Sequence, residues 1–234
     1  MYKKARIKRN AGSSDNNVKI TMLQAATNVN MILNFGLNII DVVNEKDIEL
    51  HILLSKFQSN KHAIREDLEQ LKAISHESSY QQEMSIKAIF NNLKAIVEIY
   101  SLIKKIKPDI VYTRGSLMGY LGRVAAYLAG VKHIYHHQDD FFHREEKIGK
   151  VKKYISKKVD FLFSKITTKL FFVSNTIIEE GFKMGIDKKK CIYVGHDLHP
   201  LFKNNFNLKI DKRHKIISDH IAIESETFLV WIFR

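Results

Sequence analysis

KPDIVYTRGSLMGYLGRVAAYLAGVKHIYHHQDD, residues 107–140, is the stretch that decides the fold of this chain. An apolar run at residues 110–112 precedes a polar turn, and a helix rich in small residues is expected from about 117 to 129. Gly130 ends that helix, and a second apolar run, 131–135, leads into the polar segment 136–140. This is a β-α-β pattern with polar side chains after each strand. Parallel α/β sheets bind small molecules at the edge formed by the carboxyl ends of their strands.

Strand and helix patterns alternate through most of the chain. Apolar runs predict strands at 18–23, 48–53, 110–112, 131–135, 170–173 and 191–194. Helical periodicity predicts helices at about 31–43, 61–74, 84–106, 117–129, 144–166 and 175–184. Such alternation predicts an α/β fold, a Rossmann-like parallel sheet with helices on both faces.

Composition divides the chain into three parts. Residues 1–17 are polar and basic and are expected to form a flexible tail, and residues 18–203 form the folded domain. Residues 204–234 are expected to hold a linker and the first strand of a second, truncated domain. The strand pattern at 227–233 has no helix after it to cover a parallel sheet.

The formal net charge of +13 favours anionic partners, such as nucleic acid, anionic lipid or phosphorylated small molecules. The helix at 144–166 alternates lysines with apolar residues. We expect Lys150, Lys153 and Lys157 to contact an anionic membrane surface while the apolar stripe packs inward. The alternative is a core helix whose lysine face is simply solvated.

Cysteine content and hydropathy indicate the compartment. Cys191 is the single cysteine, so no internal disulfide framework forms and a reducing cytoplasm is expected. No apolar run approaches the roughly 18 residues of a membrane-spanning helix, and the basic amino terminus has no apolar core of a secretory signal. The predicted location is the cytoplasm, peripheral on the inner face of the cell membrane. The histidines lack zinc-binding spacing, so no metal site is expected.

Two segments resemble family 4 glycosyltransferases of the GT-B fold. IKPDIVYTRGSLMGYLGRVAAYLAGVKHIYHHQDDFF (106–142) is similar to the centre of that family's amino-terminal domain, and TTKLFFVSNTIIEEGFKMGIDKKKCIYVGHDLHPLFK (167–203) is similar to its next landmark. The resemblance covers about 18–203. Three features depart from the family. The Glu-x7-Glu signature of the carboxyl-terminal domain is absent, residues 25–30 replace a glycine-rich turn, and residues 195–198 are all that represents the family's Asn-Gly-Val-Asp motif.

The resemblance implies an activity and its partners. The chain would be the acceptor-binding half of a retaining transferase that makes bacterial surface polysaccharide or glycoconjugate. The donor would be a UDP- or GDP-sugar, without metal or other cofactor, and the acceptor a sugar or a lipid-linked sugar. The donor-binding domain is missing, so the chain alone is expected to be inactive. Either a separate carboxyl-terminal subunit binds the donor, or the chain is a truncated remnant of the enzyme. The alternative function is a noncatalytic, basic nucleic-acid-binding module, although no nucleic-acid motif is present and no specific nucleic acid is expected.

The resemblance also gives candidate site residues. Gln138 and Asp139 align with the family position beside the transferring sugar, and His137 would take that role if the register shifts by one. These three are the predicted catalytic residues. The predicted acceptor- or phosphate-binding residues are Arg114, Asn28, Asn30, His143 and Arg144. A polar loop or an exposed turn arginine, without a site role, is the competing interpretation of these positions.

Overall fold

The computed structural model describes residues 20–27, 48–57, 73–82, 86–146 and 148–195. Its strands are β1 (Ile20–Ala26), β2 (Ile48–Ser55), β3 (Ile74–Ser78), β4 (Ile110–Arg114), β5 (His133–Gln138), β6 (Lys169–Phe172) and β7 (Cys191–Tyr193). They form one parallel sheet in the order β3-β2-β1-β4-β5-β6-β7. The predicted Rossmann-like parallel sheet is confirmed. The order reverses at β1, which places a topological switch point between β1 and β4.

Four helices are described: α1 (Ile86–Ile106), α2 (Ser116–Ala129), α3 (Lys150–Ile166) and α4 (Asn175–Lys183). Short 3-10 helices span Phe142–Arg144 and Lys188–Lys190. Gly130 ends α2 in the left-handed conformation, at φ 79°. The Ser174 hydroxyl caps α4 by accepting a hydrogen bond from the Ile177 amide. The predicted helix at 31–43, most of that at 61–74, and the parts 1–17 and 204–234 lie outside the described residues.

The main core lies between the central strands and helices α1 and α2. Leu23, Val111 and Ile134 contribute from the strands, and Ile99 and Met118 contribute from the helices. Burying each of these side chains contributes about 1.5–3 kcal/mol. This packing fixes α2, and therefore its amino terminus, directly above the carboxyl ends of β1 and β4.

Close packing of α2 on the sheet depends on two glycines. A Cβ added at Gly119 would lie 2.5 Å from His136 Cε1, and one at Gly122 would lie 2.8 Å from Thr113 Cγ2. Any larger residue would force the helix or the contacted side chain to move. The small-residue pattern of α2 therefore sets the height of the helix above β4 and β5.

The sequence did not predict strand β3. The predicted helix at 61–74 is wrong at its carboxyl end, because Ile74 begins β3. This strand pairs with β2 at the sheet edge and reads ISHES, so it has no apolar run to mark it. Side-chain bonds stabilise it instead: His51 Nδ1 lies 2.7 Å from His76 Nε2, and the Ser78 hydroxyl donates to Glu98 at 3.0 Å.

Two other boundaries differ from the predictions. Strand β5 continues through His136, His137 and Gln138, whose side chains are buried in the sheet rather than lying in a loop after it. Helix α3 begins at Lys150, so Arg144 does not belong to it. The hydroxyls of Tyr112 and Thr113 on β4 give the buried rings of His137 and His136 hydrogen-bond partners, which makes the longer strand possible.

The inward packing predicted for the apolar stripe of α3 is wrong. Val151 is 73% exposed and Tyr154 63%, whereas Ser156, Asp160 and Ser164 are buried. The polar face packs inward because α2 supplies a partner for it, the Tyr120 hydroxyl, which donates to Asp160 Oδ1 at 2.8 Å. Helix α3 therefore presents apolar residues and lysines together on its outer face.

Candidate functional site

The carboxyl ends of β1, β4 and β5 converge at one edge of the sheet. Ala26 is paired with Arg114, and Arg114 with His137. Thr27 joins this edge to α2: its amide donates to the Arg114 carbonyl and its hydroxyl accepts from the Met118 amide, both at 3.1 Å. The first turn of α2 contains no acidic residue. The dipole of α2 therefore makes this edge favourable for an anion.

Arg114 and Asp139 form a bidentate ion pair at this edge. Arg114 Nη2 donates to Asp139 Oδ1 at 2.7 Å, and Nε donates to Oδ2 at 3.2 Å. The arginine side chain is 7% exposed and the aspartate 29%. The buried guanidinium therefore holds a partly exposed carboxylate in one orientation. This places Arg114 against the carboxylate, a contact that the predicted phosphate role did not include.

His137 lies beneath the same carboxylate. Its Nε2 is 3.5 Å from Asp139 Oδ1, and its Nδ1 is 2.8 Å from the hydroxyl of Tyr112. Burial raises the pKa of Tyr112, so this hydroxyl keeps its proton at neutral pH. Tyr112 and His137 thus form a buried support below the Arg114–Asp139 pair.

Gln138 faces the other side of the strand and turns back toward its own loop. Its Nε2 donates to the Asp140 carbonyl at 2.5 Å. Beside it, Thr113 donates its hydroxyl proton to the Tyr135 carbonyl, so His136 Nδ1 must donate to the Thr113 oxygen, at 2.9 Å. Burial, Arg123 and His137 lower the pKa of His136 well below its usual value, which keeps this ring neutral.

The structure places His143 in the interior and Arg144 at the surface. His143 is 3% exposed, and its Nε2 lies 2.6 Å from Glu180 Oε1 on α4. Arg144 Nε lies 3.3 Å from Asp140 Oδ1 and 3.7 Å from Glu180 Oε2. Of these two residues, only Arg144 is exposed enough to contact a ligand at the rim of the site. Both side chains fasten the loop that follows β5 to α4.

The remaining predicted residues divide into two groups. Asn28 and Asn30 lie outside the described residues. Lys150 and Lys157 are exposed on α3, and Lys153 is partly buried.

None of the described helices has the length and hydropathy needed to cross a bilayer. Within the described ranges, no three His, Cys, Asp or Glu side chains are grouped to hold a metal ion.

Sequence reasoning missed Tyr112, Thr27 and the structural role of His136. The sequence could have indicated Tyr112 as a site residue, because residues two apart on a strand share a face. Tyr112 and Arg114 therefore had to lie on one side of β4. The pairing of β4 with β5 then brings His137 to that side as well.

Comparisons with known proteins identify the family and the fold. The sequence model of a family described as "Glycosyl transferase 4-like" matches residues 19–172. The chain is 36% identical over 105 residues to the Escherichia coli UDP-Gal:alpha-D-GlcNAc-diphosphoundecaprenol alpha-1,3-galactosyltransferase, covering 45% of this chain and 24% of that enzyme.

Two solved structures show the same fold at low identity. A glycosyltransferase from Rickettsia africae aligns with a TM-score of 0.56 and 17% identity, over 90% of this chain and 51% of that one. A structure from Listeria monocytogenes, described provisionally as a UDP-N-acetylglucosamine 2-epimerase, aligns with a TM-score of 0.59 and 13% identity. This alignment covers 80% of this chain and 51% of that one. The chain thus spans about half the length of these structures. On the match over 19–172, the chain belongs to the glycosyl transferase 4-like family.

Proposed function

We propose that this chain is the acceptor-binding half of a retaining glycosyltransferase that uses a UDP- or GDP-sugar to build bacterial surface polysaccharide or glycoconjugate. The observation that carries the proposal is the Arg114–Asp139 pair above His137, at the switch-point edge of the sheet. Family membership supports glycosyl transfer, and retention follows from the resemblance to family 4 enzymes.

The pair suits recognition of an acceptor hydroxyl. Asp139 has both oxygens held by Arg114 yet keeps 29% of its side chain exposed, and a carboxylate oxygen can accept more than one hydrogen bond. A sugar hydroxyl bound there would be oriented for attack, which is the main contribution that positioning makes to group transfer. His137 and Tyr112 would keep the carboxylate in place during the reaction.

The acceptor class is proposed from the Escherichia coli relative, which is named for a GlcNAc-diphosphoundecaprenol acceptor. We propose a sugar linked through diphosphate to a polyprenyl lipid. Its diphosphate is an anion that the amino terminus of α2 would stabilise. Its lipid tail requires the protein to work at a bilayer surface.

The outer face of α3 fits such a surface. Tyr154 and Ile155 are 63% and 54% exposed, and exposed lysines including Lys150 and Lys157 lie on the same helix. Apolar side chains beside lysines bind anionic membranes through both burial and charge, with each cation contributing about 1 kcal/mol. We propose that α3 holds the protein on the cytoplasmic face of the membrane.

Donor binding is proposed to require a second domain, in a separate subunit or a continuation of this chain. The chain spans about half of the GT-B-type structures that it matches. The 234-residue chain by itself is therefore expected to bind acceptor but to transfer little or no sugar.

Binding of a short-chain GlcNAc-diphospholipid to the purified chain tests the proposal, with the same lipid diphosphate lacking the sugar as a reference. We expect tighter binding of the sugar-bearing lipid, and a loss of about tenfold or more in Asp139→Asn, the cost of one charged hydrogen bond. Glu179→Gln, an exposed change on α4, is the matched control. Equal binding of both lipids, or equal affinity of the two variants, would contradict the proposal.

A further inference from the structure

An open cleft lies at the edge of the sheet opposite the candidate site, where the amino ends of β1, β4 and β5 meet the carboxyl ends of α1 and α2. Its volume is about 680 Å³, within the range of roughly 300–1,000 Å³ that small-molecule sites occupy. Ile110 begins β4 in the cleft, and Arg114 ends the same strand at the candidate site. At a rise of about 3.3 Å per residue, these two positions are roughly 13 Å apart. A ligand in the cleft would therefore occupy a second site.

The walls of the cleft are mainly apolar. Their side chains include those of Ile103, Pro108, Ile110, Ala129 and Val131. Tyr127 and Leu128, which immediately precede Ala129, are 58% and 61% exposed. Apolar surface thus continues from the cleft onto the last turn of α2. Such walls favour a ligand with an apolar body, because burying its surface removes both sides of the contact from water.

Three lysine side chains give the cleft a positive rim. They belong to Lys104 in the last turn of α1 and to Lys107 and Lys132 in the loops before β4 and β5. All three are exposed, and within the described ranges none of them forms an ion pair with a carboxylate. Asp109 is the one acidic residue among the described residues that line the cleft, and its Oδ2 accepts a hydrogen bond from the Thr21 amide at 2.9 Å. The rim therefore carries a net positive charge, which attracts anions.

Lys107 has a backbone conformation that favours glycine. Its φ is 49°, and its amide donates to the Ile103 carbonyl at 2.8 Å at the end of α1. Glycine or asparagine is the usual residue in this left-handed position after a helix, because a larger side chain strains the backbone there. The strain is retained at a position where the side chain adds a cation to the rim of the cleft.

Stabilisation of the helix ends does not by itself account for this arrangement. A lysine in the last turn of a helix interacts favourably with the helix dipole, and Lys104 has that position on α1. The dipole gives no reason for a cleft of this size, and none for a lysine in place of glycine at residue 107. Apolar walls below exposed cations instead match a ligand that has an apolar part and an anionic part.

We propose that this cleft binds a hydrocarbon chain that ends in a phosphate group. The chain would contact the apolar walls, and the phosphate would lie among Lys104, Lys107 and Lys132, whose ammonium groups form charge-assisted hydrogen bonds with phosphate oxygens. The cleft shares no residue with the switch-point edge. This inference therefore does not rest on the proposed function.

Octyl phosphate is the probe, and inorganic phosphate and octanol represent its two parts separately. In an NMR titration of the isotope-labelled chain, we expect the backbone signals of Ile103, Ile110 and Val131 to shift saturably with octyl phosphate. Its affinity should be at least tenfold higher than that of either reference. Equal affinity for inorganic phosphate would show an adventitious ion only. That result, equal affinity for octanol, or no saturable shift at these residues would overturn the proposal.

Geranyl phosphate distinguishes two sources of such a ligand. Tighter binding than octyl phosphate would assign an isoprenoid phosphate, and weaker binding would assign an alkyl or acyl phosphate. Both orders support the proposal when the signals of the cleft shift saturably. Signals from Arg114 and Asp139 report acceptor binding at the other edge, so failure of the proposed function and failure of this inference are distinguishable.

Lys104→Gln combined with Lys132→Gln should lower the affinity for octyl phosphate by about tenfold or more, because contacts to a charged group are lost. The matched control is Lys183→Gln combined with Lys189→Gln, which removes the same charge from exposed positions at the end of α4 and beyond. Equal losses in the two double variants would overturn the proposal.

Lys107→Gly separates ligand binding from folding. Glycine adopts a φ of 49° without strain, so the melting temperature should be at least that of the wild type. The affinity for octyl phosphate should nevertheless fall by about threefold or more, because one cation is lost. A lysine with only a structural role would leave the affinity unchanged, and that result would overturn the proposal.

Discussion

Arg114 and Asp139 meet across the carboxyl ends of neighbouring parallel strands, with two hydrogen bonds of 2.7 and 3.2 Å. The strand pairing of Arg114 with His137 makes the contact possible, because it brings residue 139 within reach of the guanidinium. Two residues 25 positions apart in the sequence thereby form one bidentate ion pair.

Arg114→Lys should weaken acceptor binding nearly as much as Asp139→Asn. Lysine cannot reproduce the two parallel hydrogen bonds of a guanidinium, so the carboxylate would lose its orientation. A double-mutant cycle on acceptor affinity should give a coupling energy of about 1–3 kcal/mol. Additive losses would show that the two residues do not act as a unit.

Helix α3 should bind anionic vesicles through its outer face. Changing Lys150, Lys153 and Lys157 to glutamine should abolish most flotation with vesicles that contain phosphatidylglycerol, since each lysine contributes about 1 kcal/mol. Tyr154→Ser with Ile155→Ser should also weaken it, because apolar burial is lost.

The matched control for the lipid experiment is the glutamine triple variant of Lys183, Lys188 and Lys189. It removes the same charge from exposed positions at the end of α4 and beyond. Equal losses in the two triple variants would indicate a response to net charge alone and would contradict a specific role for α3.

Gly119→Ala should destabilise the fold by about 1–3 kcal/mol, as overpacking does. The new methyl group would lie 2.5 Å from His136 Cε1, so α2 or the ring must move. Gly149→Ala is the control, since a Cβ added there would meet no atom within 4 Å beyond its chain neighbours, and its φ is −67°. Thermal unfolding of both variants checks the prediction, and equal melting temperatures would contradict it.

Because of Glu98, the folded state should lose stability in acid at the β3 edge of the sheet. Burial would raise the pKa of Glu98, but hydrogen bonds from Lys56, Ser79 and Ser78 lower it to about 2. A lowered pKa stabilises the fold above the unfolded value near 4.5, and this contribution is lost as the pH falls toward 2. Glu98→Gln should cost about 1–3 kcal/mol at pH 7.

The pH dependence of Glu98→Gln distinguishes the charge from the packing. Its unfolding free energy should fall less than that of the wild type between pH 5 and pH 3, so the two curves should converge in acid. Parallel curves over that range would show that the Glu98 charge does not stabilise the folded state.

Most of the sheet could be predicted because its central strands are continuous apolar runs. Residues 110–112 and 170–173 are buried on both faces, and their composition shows it. Strand β3 could not be predicted, since an edge strand held by Glu98 and histidine contacts needs no apolar residues. The orientation of α3 also required the structure, because Asp160 can face inward only where Tyr120 meets it.

The candidate site was predictable in part. The β-α-β pattern brings Arg114, His137 and Asp139 to one edge, as expected for parallel strands. The pattern could not show that Arg114 contacts Asp139 or that Gln138 bonds to its own loop. It also could not show that His143 is buried, since that depends on Glu180 from a later helix.

The most direct test of the central claim is an NMR titration of the isotope-labelled chain with the short-chain GlcNAc-diphospholipid. If the switch-point edge binds the acceptor, signals from Thr27, Arg114 and residues 136–140 should shift together at saturable concentrations. Unchanged signals at that edge, with binding elsewhere or no binding, would contradict it.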